Sequence, residues 1–322
     1  MQRKVMSIIL FLFLSQVSIS IAADYISLGC YIGESSSLYF VGEKKGFFNK
    51  NNINFTLKAY DAGKLALEDV IAEKLDFASI SDFAFVAKSF NNTKLRIILI
   101  TGMSNSQQLI VRKDRIKTIS DLKNKNIAIM KNTSSEFAFG TFLDLNQLKF
   151  EDINLLNLKP PQMIENIKKG DIDGVVIWEP TLYKIKTALK ENIHVLSSKK
   201  DIAPYHVILA TTIDVIQKKS ELIQRFIKSL IQAENFLKNN EKEVKEIVKT
   251  RIGADDDYIN YVWGNETFNL SLPQSLLPTM EDEAEWMIEV KLTDKKTKPS
   301  FLNYIYLEGL NKEKPDSISI IH

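Results

Sequence analysis

Residues 159–180 read KPPQMIENIKKGDIDGVVIWEP, and this stretch decides the fold. Pro160-Pro161 end an apolar strand running from Leu155 to Leu158. Met163, Ile164 and Ile167 then recur at helical spacing and mark a short helix. Gly170 stands where that helix stops, since a residue without Cβ takes the left-handed backbone of a helix end. Val175-Val176-Ile177-Trp178 is a continuous apolar run, as in a strand buried on both faces. Pro180 opens the next helix at a first-turn position, where its missing N–H costs nothing. Strand, helix, strand and helix in so short a span argue for a sheet wrapped by helices on both sides.

Upstream the same alternation holds. Strands are expected at Tyr25–Cys30, Asn54–Ala59, Phe77–Ile80 and Ile97–Thr101, with helices over Ser37–Phe48, Leu65–Leu75 and Asp82–Phe90 between them. A second series adds strands at Leu109–Val111, Ile127–Met130 and His194–Leu196, and a helix over Ser135–Leu148. After a strand at Val207–Thr212 the last third reads as mostly helical, with Leu222, Phe226, Leu230 and Leu237 on one face and a later helix over Leu276–Ile288. The expectation is an α/β protein of two lobes, each a mostly parallel sheet flanked by helices. No Gly/Ser-rich linker separates them, so chain crossings near Gln107–Ile110 and Tyr205–Leu209 should serve as hinges between near-rigid bodies.

The chain has 322 residues, with 42 Lys+Arg against 40 Asp+Glu and a net charge of +2. That balance lacks the basic excess of a nucleic-acid binder. Cys30 is the single cysteine, which excludes an internal disulfide and a multi-cysteine metal site. His194, His206 and His322 are too few for a histidine metal cluster, and no metal or cofactor is expected. Arg3 and Lys4 precede an apolar run from Val5 to Ile21 that ends in Ala22-Ala23, the pattern of a cleaved secretory signal peptide over residues 1–23. Gly29-Cys30 raises lipidation, but Asp24 and Tyr25 separate it from the apolar run, and Cys30 is read as a buried strand cysteine. Export without disulfides fits a bacterial periplasm.

Motifs of catalysis are weak: no Gly-x-Ser-x-Gly elbow, phosphate loop or His-Glu-x-x-His occurs. Gly-Glu-Ser-Ser-Ser at 33–37 and Asn-Thr-Ser-Ser-Glu at 132–136 both follow a strand and open a helix. There the hydroxyls of Ser35, Ser36, Ser37, Thr133 and Ser134 either cap the helix or meet a ligand, because open α/β sheets bind ligands at strand ends and helix N-termini favour anions. Ser81 and Asp82 form a third polar cluster of this kind, with helix capping as its competing reading. Trp178 and Glu179 leave a strand end together, offering a flat apolar face and an acceptor for an amino group. Tyr205 and His206 are hinge or cleft candidates.

SLYFVGEKKGFFNKNNI (37–53), DFASISDFA (76–84), LIVRKDRIKTISDLKNKNIAI (109–129), NTSSEF (132–137), the 159–180 stretch, EDEAEWMI (281–288) and FLNYIYLEGLNKEKPDSISII (301–321) follow one another in a familiar order. With them the chain resembles the periplasmic substrate-binding proteins of ABC importers for nitrate, sulfonates and taurine, a group related to thiamine-pyrimidine-synthesis proteins. The resemblance implies a type II two-lobed fold with two hinge crossings, lobe one at 24–106 plus 208–322 and lobe two at 107–207. It implies a monomer that holds a small molecule between closing lobes, performs no chemistry and delivers the solute to an inner-membrane permease. Position by position it carries ligand contact to Ser35–Ser37, Ser81, Asp82, Thr133, Ser134, Trp178 and Glu179. Where relatives often have glycine before the second-lobe serines, Asn132-Thr133 stands here, and asparagine tolerates a left-handed backbone. Alternatives are a thiamine-precursor pyrimidine binder, a pyrimidine-synthase-like enzyme and a periplasmic sensor, and fold alone does not choose among them.

Overall fold

The structure, a computed structural model, describes residues 24–197 and 202–321; the expected signal peptide lies outside them. The chain begins β1 (Asp24–Tyr31), α1 (Ser37–Lys44), α2 (Phe47–Lys50), β2 (Ile53–Tyr60), α3 (Gly63–Ile71), β3 (Phe77–Ser81), α4 (Asp82–Ser89) and β4 (Leu95–Ser104). It continues with β5 (Gln108–Arg112), β6 (Asn126–Ile129), α5 (Ser134–Leu145), β7 (Asn154–Asn157), α6 (Pro160–Lys169), β8 (Gly174–Ile177), α7 (Thr181–Leu189) and β9 (Ile193–Val195). The last part is β10 (Tyr205–Thr212), α8 (Ile213–Asn239), α9 (Glu241–Ile252), α10 (Asp256–Val262), β11 (Glu266–Ser271), α11 (Leu276–Glu289) and α12 (Leu307–Glu313).

These strands form two sheets, of order β11-β4-β10-β3-β1-β2 and β7-β6-β8-β5-β9. The chain passes from the first to the second between Ser104 and Gln108 and returns between Val195 and Tyr205. Both sheets are mixed, which corrects the expectation of mostly parallel ones. β1 is parallel to β2 and β3, and β6 to β7 and β8. β10, coming back from the second sheet, enters the first in the opposite sense and lies antiparallel to both β3 and β4. β5, the outgoing strand, is likewise antiparallel to β8 and β9. The antiparallel pairings in the second sheet thus come from the strand that carries the chain across; in the first, two come from its counterpart on the way back and a third from β11, which lies antiparallel to β4 at the edge.

Two local expectations also change. The single helix over Ser37–Phe48 is broken in two, because Gly46 takes φ +69°, a left-handed conformation that ends α1 and starts α2. The mostly helical last third contains a strand, β11, whose alternation of Phe268 and Leu270 is too short to stand out; it completes the edge of sheet one against β4. Elsewhere the 3.6-residue pattern holds: Leu222, Ile223, Phe226, Ile227 and Leu230 of α8 are buried. The Phe226 ring lies 5.5, 5.8 and 5.3 Å from those of Phe48, Phe55 and Phe77. Cys30 is fully buried in β1, and burial pushes its thiol up to about 11.

Two aromatic seams join the lobes. On one, Phe83 and Trp286 from the sheet-one side meet Phe137 of α5 at 5.4 and 5.2 Å, and Trp286 Nε1 donates to Asp144 at 3.3 Å. Gly140 of α5 makes this approach possible, since a Cβ there would stand 2.0 Å from Trp286 Cζ2. On the other, Tyr183 of α7 packs on Tyr258 of α10 at 4.9 Å, and Tyr31 and Thr181 share a hydrogen bond of 3.0 Å.

Candidate ligand cleft

Between the seams lies a small cavity of about 50 Å³, lined from both lobes. Its wall is built from the ends of both sheets. Sheet one contributes Tyr31 at the end of β1, Ser35 and Ser36 in the turn after it, Gly63 and Lys64 opening α3, Ser79 and Ser81 at the end of β3, and Tyr205 of β10. Sheet two contributes Thr133 and Ser134 at the start of α5 and Trp178 just past β8. Ala62, Ile80, Ala84 and Val207 add apolar surface, and among the described residues no acidic side chain belongs to the wall.

The N-termini of α3, α4 and α5 therefore converge on one space. An α-helix leaves its first N–H groups without intrahelical partners, and its dipole places partial positive charge there. At α4, Ser81 Oγ accepts from Ala84 N at 3.3 Å and caps the helix. At α3 and α5 the N-cap residues Ala62 and Thr133 make no side-chain bond of that kind. Thr133 Oγ1 instead donates to Met130 O at 2.6 Å. Ser36 Oγ donates to Tyr31 O at 2.9 Å. Of the two readings, helix cap or ligand contact, capping is not what Ser36 and Thr133 do: their hydroxyls pin the turns by bonding carbonyls. Asn132 does take the left-handed backbone, at φ +56°, and its N–H donates to Glu136 Oε2 at 2.6 Å.

Lys64 is the charged group of the wall. Its Nζ crosses to the other lobe and donates to Lys131 O at 2.5 Å. Burial pulls Lys64 below the usual lysine value, while the charges of Glu68 and Glu136 oppose that pull. Sequence reasoning did not single it out, because one lysine among many carries no local signature. Tyr31, Gly63 and Ser79 were missed for the same reason. A Cβ on Gly63 would stand 2.4 Å from Ser79 O, so the start of α3 sits directly on β3.

Six of the nine expected contacts lie on the wall: Ser35, Ser36, Ser81, Thr133, Ser134 and Trp178. Ser37, Asp82 and Glu179 do not. Ser37 Oγ donates to Glu34 O at 2.5 Å. Asp82 is buried, accepting from Phe83 N at 3.0 Å, from His206 N at 2.9 Å and bonding His206 Nδ1 at 2.8 Å. Glu179 Oε2 accepts from Tyr183 N at 2.7 Å, which fixes the start of α7. Burial is the main force pushing Glu179 up to about 8. Within Ser36-Ser37, Ser81-Asp82 and Trp178-Glu179 the wall takes the first residue and leaves the second, whereas Ser35-Ser36 and Thr133-Ser134 each contribute both members. Among the described residues no group of three or more His, Cys, Asp or Glu is placed to hold a metal ion.

A two-sheet α/β protein with paired crossings and a cleft between lobes has the periplasmic binding protein fold. The sequence profile of the NMT1/THI5-like family matches residues 35–249, and the chain belongs to that family. It is 22% identical over 273 residues to a putative aliphatic sulfonates-binding protein of Bacillus subtilis, covering 82% of each chain. The alkanesulfonate-binding protein of Xanthomonas axonopodis pv. citri, solved with MOPS, superposes with a TM-score of 0.76 at 17% identity, covering 88% of this chain and 98% of that one. A desulfurization enzyme shares the fold more distantly, with a TM-score of 0.67 at 12% identity over 91% of this chain and 99% of that one.

Proposed function

We propose that the protein is the exported solute-binding component of an ABC importer, which captures a small organic anion of the sulfonate class in this cleft and delivers it unchanged to an inner-membrane permease. One observation carries the reading. Three helix N-termini, a set of hydroxyls and Lys64 converge on a wall to which no described residue adds a carboxylate. Such a wall offers donors and positive charge, which an anionic head accepts. Trp178, Ile80, Ala84 and Val207 supply the apolar surface that a bare inorganic anion leaves unused and a short carbon chain covers. The relatives named for sulfonates point the same way.

A ligand with an amino end, such as an amino-sulfonate or an aminopyrimidine, would need Glu179, read from the sequence as an acceptor for an amino group, to face it. With Glu179 off the wall, simple sulfonates stand ahead of ligands with an amino end. The pyrimidine-synthase alternative needs a reactive Cys or His at the ligand. Among the described residues neither type lines the cavity, and Cys30 is a buried thiol of raised pKa. A sensor would bind in the same way and differ in its membrane partner alone.

The test is a thermal-shift and calorimetric panel of ethanesulfonate, taurine, nitrate and an aminopyrimidine on the mature protein. A ligand at about 100 times its Kd adds about 2.7 kcal/mol of stability. Ethanesulfonate should shift the melting point most. Binding of the aminopyrimidine with no response to either sulfonate would overturn the proposal, and so would conversion of the ligand.

A further inference from the structure

Behind Trp178, on the seam made by α7 and α10, three buried glutamates approach one another. Glu34 comes from the turn after β1, Glu266 from the first position of β11, and Glu179 from the end of β8 in the other lobe. Glu34 Oε2 accepts from Tyr258 OH at 2.6 Å, and Glu266 Oε1 accepts from Ser104 Oγ at 2.6 Å; both bonds stay within the sheet-one side. Glu179 is different. It is 2% exposed, its Oε1 makes no hydrogen bond of normal geometry, with the Tyr261 side chain its nearby donor, and the titratable groups facing it belong largely to the opposite lobe.

Those groups are few and can be named. From the sheet-one side Glu34, Glu266, Tyr31, Tyr258 and Tyr261 act on it or are acted on by it. From its own lobe come Tyr183, through its N–H, and Lys186, whose Nζ donates to Gln108 Oε1 at 2.7 Å and reaches across to Tyr261 OH at 2.9 Å. Lys186 is the one cation among them, against three carboxyl groups. A buried carboxylate with an oxygen that lacks a well-formed hydrogen bond carries most of the desolvation penalty of its charge, whereas the neutral acid carries much less.

We infer that lobe closure takes up a proton at Glu179, so that the α7–α10 seam is an acid-favoured latch on the ligand cleft. The inference rests on the lobes closing over a ligand, as proposed above. When the lobes part, water reaches Glu179 and lets it ionise; when they shut, the acid must be neutral.

The sign follows from the two states. In the closed form burial lifts Glu179 to about 8, and in the open form it returns toward the ordinary glutamate value of 4.5. The closed form thus holds more protons, and closure is favoured at low pH. Below both values nothing changes with pH. Between them each pH unit disfavours closure by up to about tenfold, and above both the effect is complete. From pH 5.5 to 7.5 ligand affinity should therefore fall by tens of fold, on the order of 70-fold if one proton is fully coupled.

The experiment is calorimetry of ethanesulfonate binding to the mature protein at pH 5.5, 6.5 and 7.5, in buffers of different ionisation enthalpy. It is done on wild type and Glu179→Gln, with scattering of the ligand-free proteins at each pH. Wild type should take up about one proton per ligand at pH 6.5 and weaken by at least tenfold across the range. Glu179→Gln, which is neutral at every pH, should take up none, keep one affinity throughout and bind about tenfold more tightly than wild type at pH 5.5, where the open wild-type glutamate is already largely ionised. A wild-type affinity flat with pH, or a variant that follows the wild-type slope, overturns the latch. If ethanesulfonate binds at no pH, the sulfonate reading falls and the latch is judged by scattering. A radius that grows with pH in wild type and not in the variant then supports it, and any other pattern overturns it. Should the variant not accumulate as folded protein, the wild-type proton count decides.

Discussion

Replacing Gly140 by alanine should separate the stability of a lobe from its ability to close. Gly140 lies inside α5, where alanine is favoured over glycine by about 1 kcal/mol. In the closed arrangement the added Cβ would meet Trp286 Cζ2 at 2.0 Å and Cη2 at 2.8 Å, far inside ordinary contact. Trp286 is seated by Phe83, Phe137 and Phe150 at 5.8, 5.2 and 6.0 Å, and its ring has little room to give. Overpacking of this kind costs about 1–3 kcal/mol. The clash exists in the closed form, while the helix gain belongs to both forms. Ligand affinity should therefore fall by about five- to hundredfold, at 1.4 kcal/mol per tenfold. The ligand-free melting temperature should hold or rise. Calorimetry with ethanesulfonate gives the first quantity, and a thermal melt followed by tryptophan emission gives the second. Affinity within twofold of wild type would refute the claim that Trp286 seats on Gly140 during closure. A clear drop in the ligand-free melting temperature would refute the assignment of that contact to closure, since it would show the contact to be part of the resting fold.

Lys64→Met should weaken ethanesulfonate binding by about ten- to hundredfold, the worth of a charge-assisted hydrogen bond, with little change in the melting temperature; calorimetry reads the affinity. Phe226→Ala should lower unfolding stability by about 3–5 kcal/mol, because its ring is shared by Phe48, Phe55 and Phe77; urea titration reads the midpoint. Cys30 should resist thiol reagents in the native protein at pH 8 and react at once in urea, since burial lifts its pKa to about 11; timed labelling with mass detection checks this.

The architecture was legible because its signals are local and repeated. Pro160-Pro161, Gly170 and Pro180 punctuate one strand–helix unit, and the bounds of β5, α4 and α11 fall within two residues of those expected. β11 was illegible because its six residues carry two apolar side chains, and its place is decided by β4. The cleft was half legible for a different reason. Periodicity tells that Ser36 and Ser37, Ser81 and Asp82, or Trp178 and Glu179 stand at a strand end. It does not tell which of each pair faces the gap between sheets, because that depends on where the second lobe sits. Lys64 and Tyr31 became visible with the tertiary structure, which lays a half-buried lysine against the other lobe's backbone and points a tyrosine at Thr181. The sense of the sheets was missed because hydrophobic pattern records burial and carries no information on strand direction.

The position of β10 has a consequence for the order in which the molecule assembles. β3 and β4 are consecutive in the chain yet are held apart in space by β10, which begins at Tyr205. As the chain emerges N-terminus first, both strands wait with bare inner edges while about a hundred further residues are made. All the strands of the second sheet lie inside that interval, so this sheet has its full set of partners before the first one does. The older half of the sequence is thus the later half of the structure. Until β10 arrives, β3 and β4 present unpaired strand edges of the kind that join wrongly with other chains. A truncation ending before Tyr205 should leave a finished second sheet tethered to an aggregating first one, and restoring residues 205–212 as a separate peptide should not suffice, since α8 and β11 complete the same side.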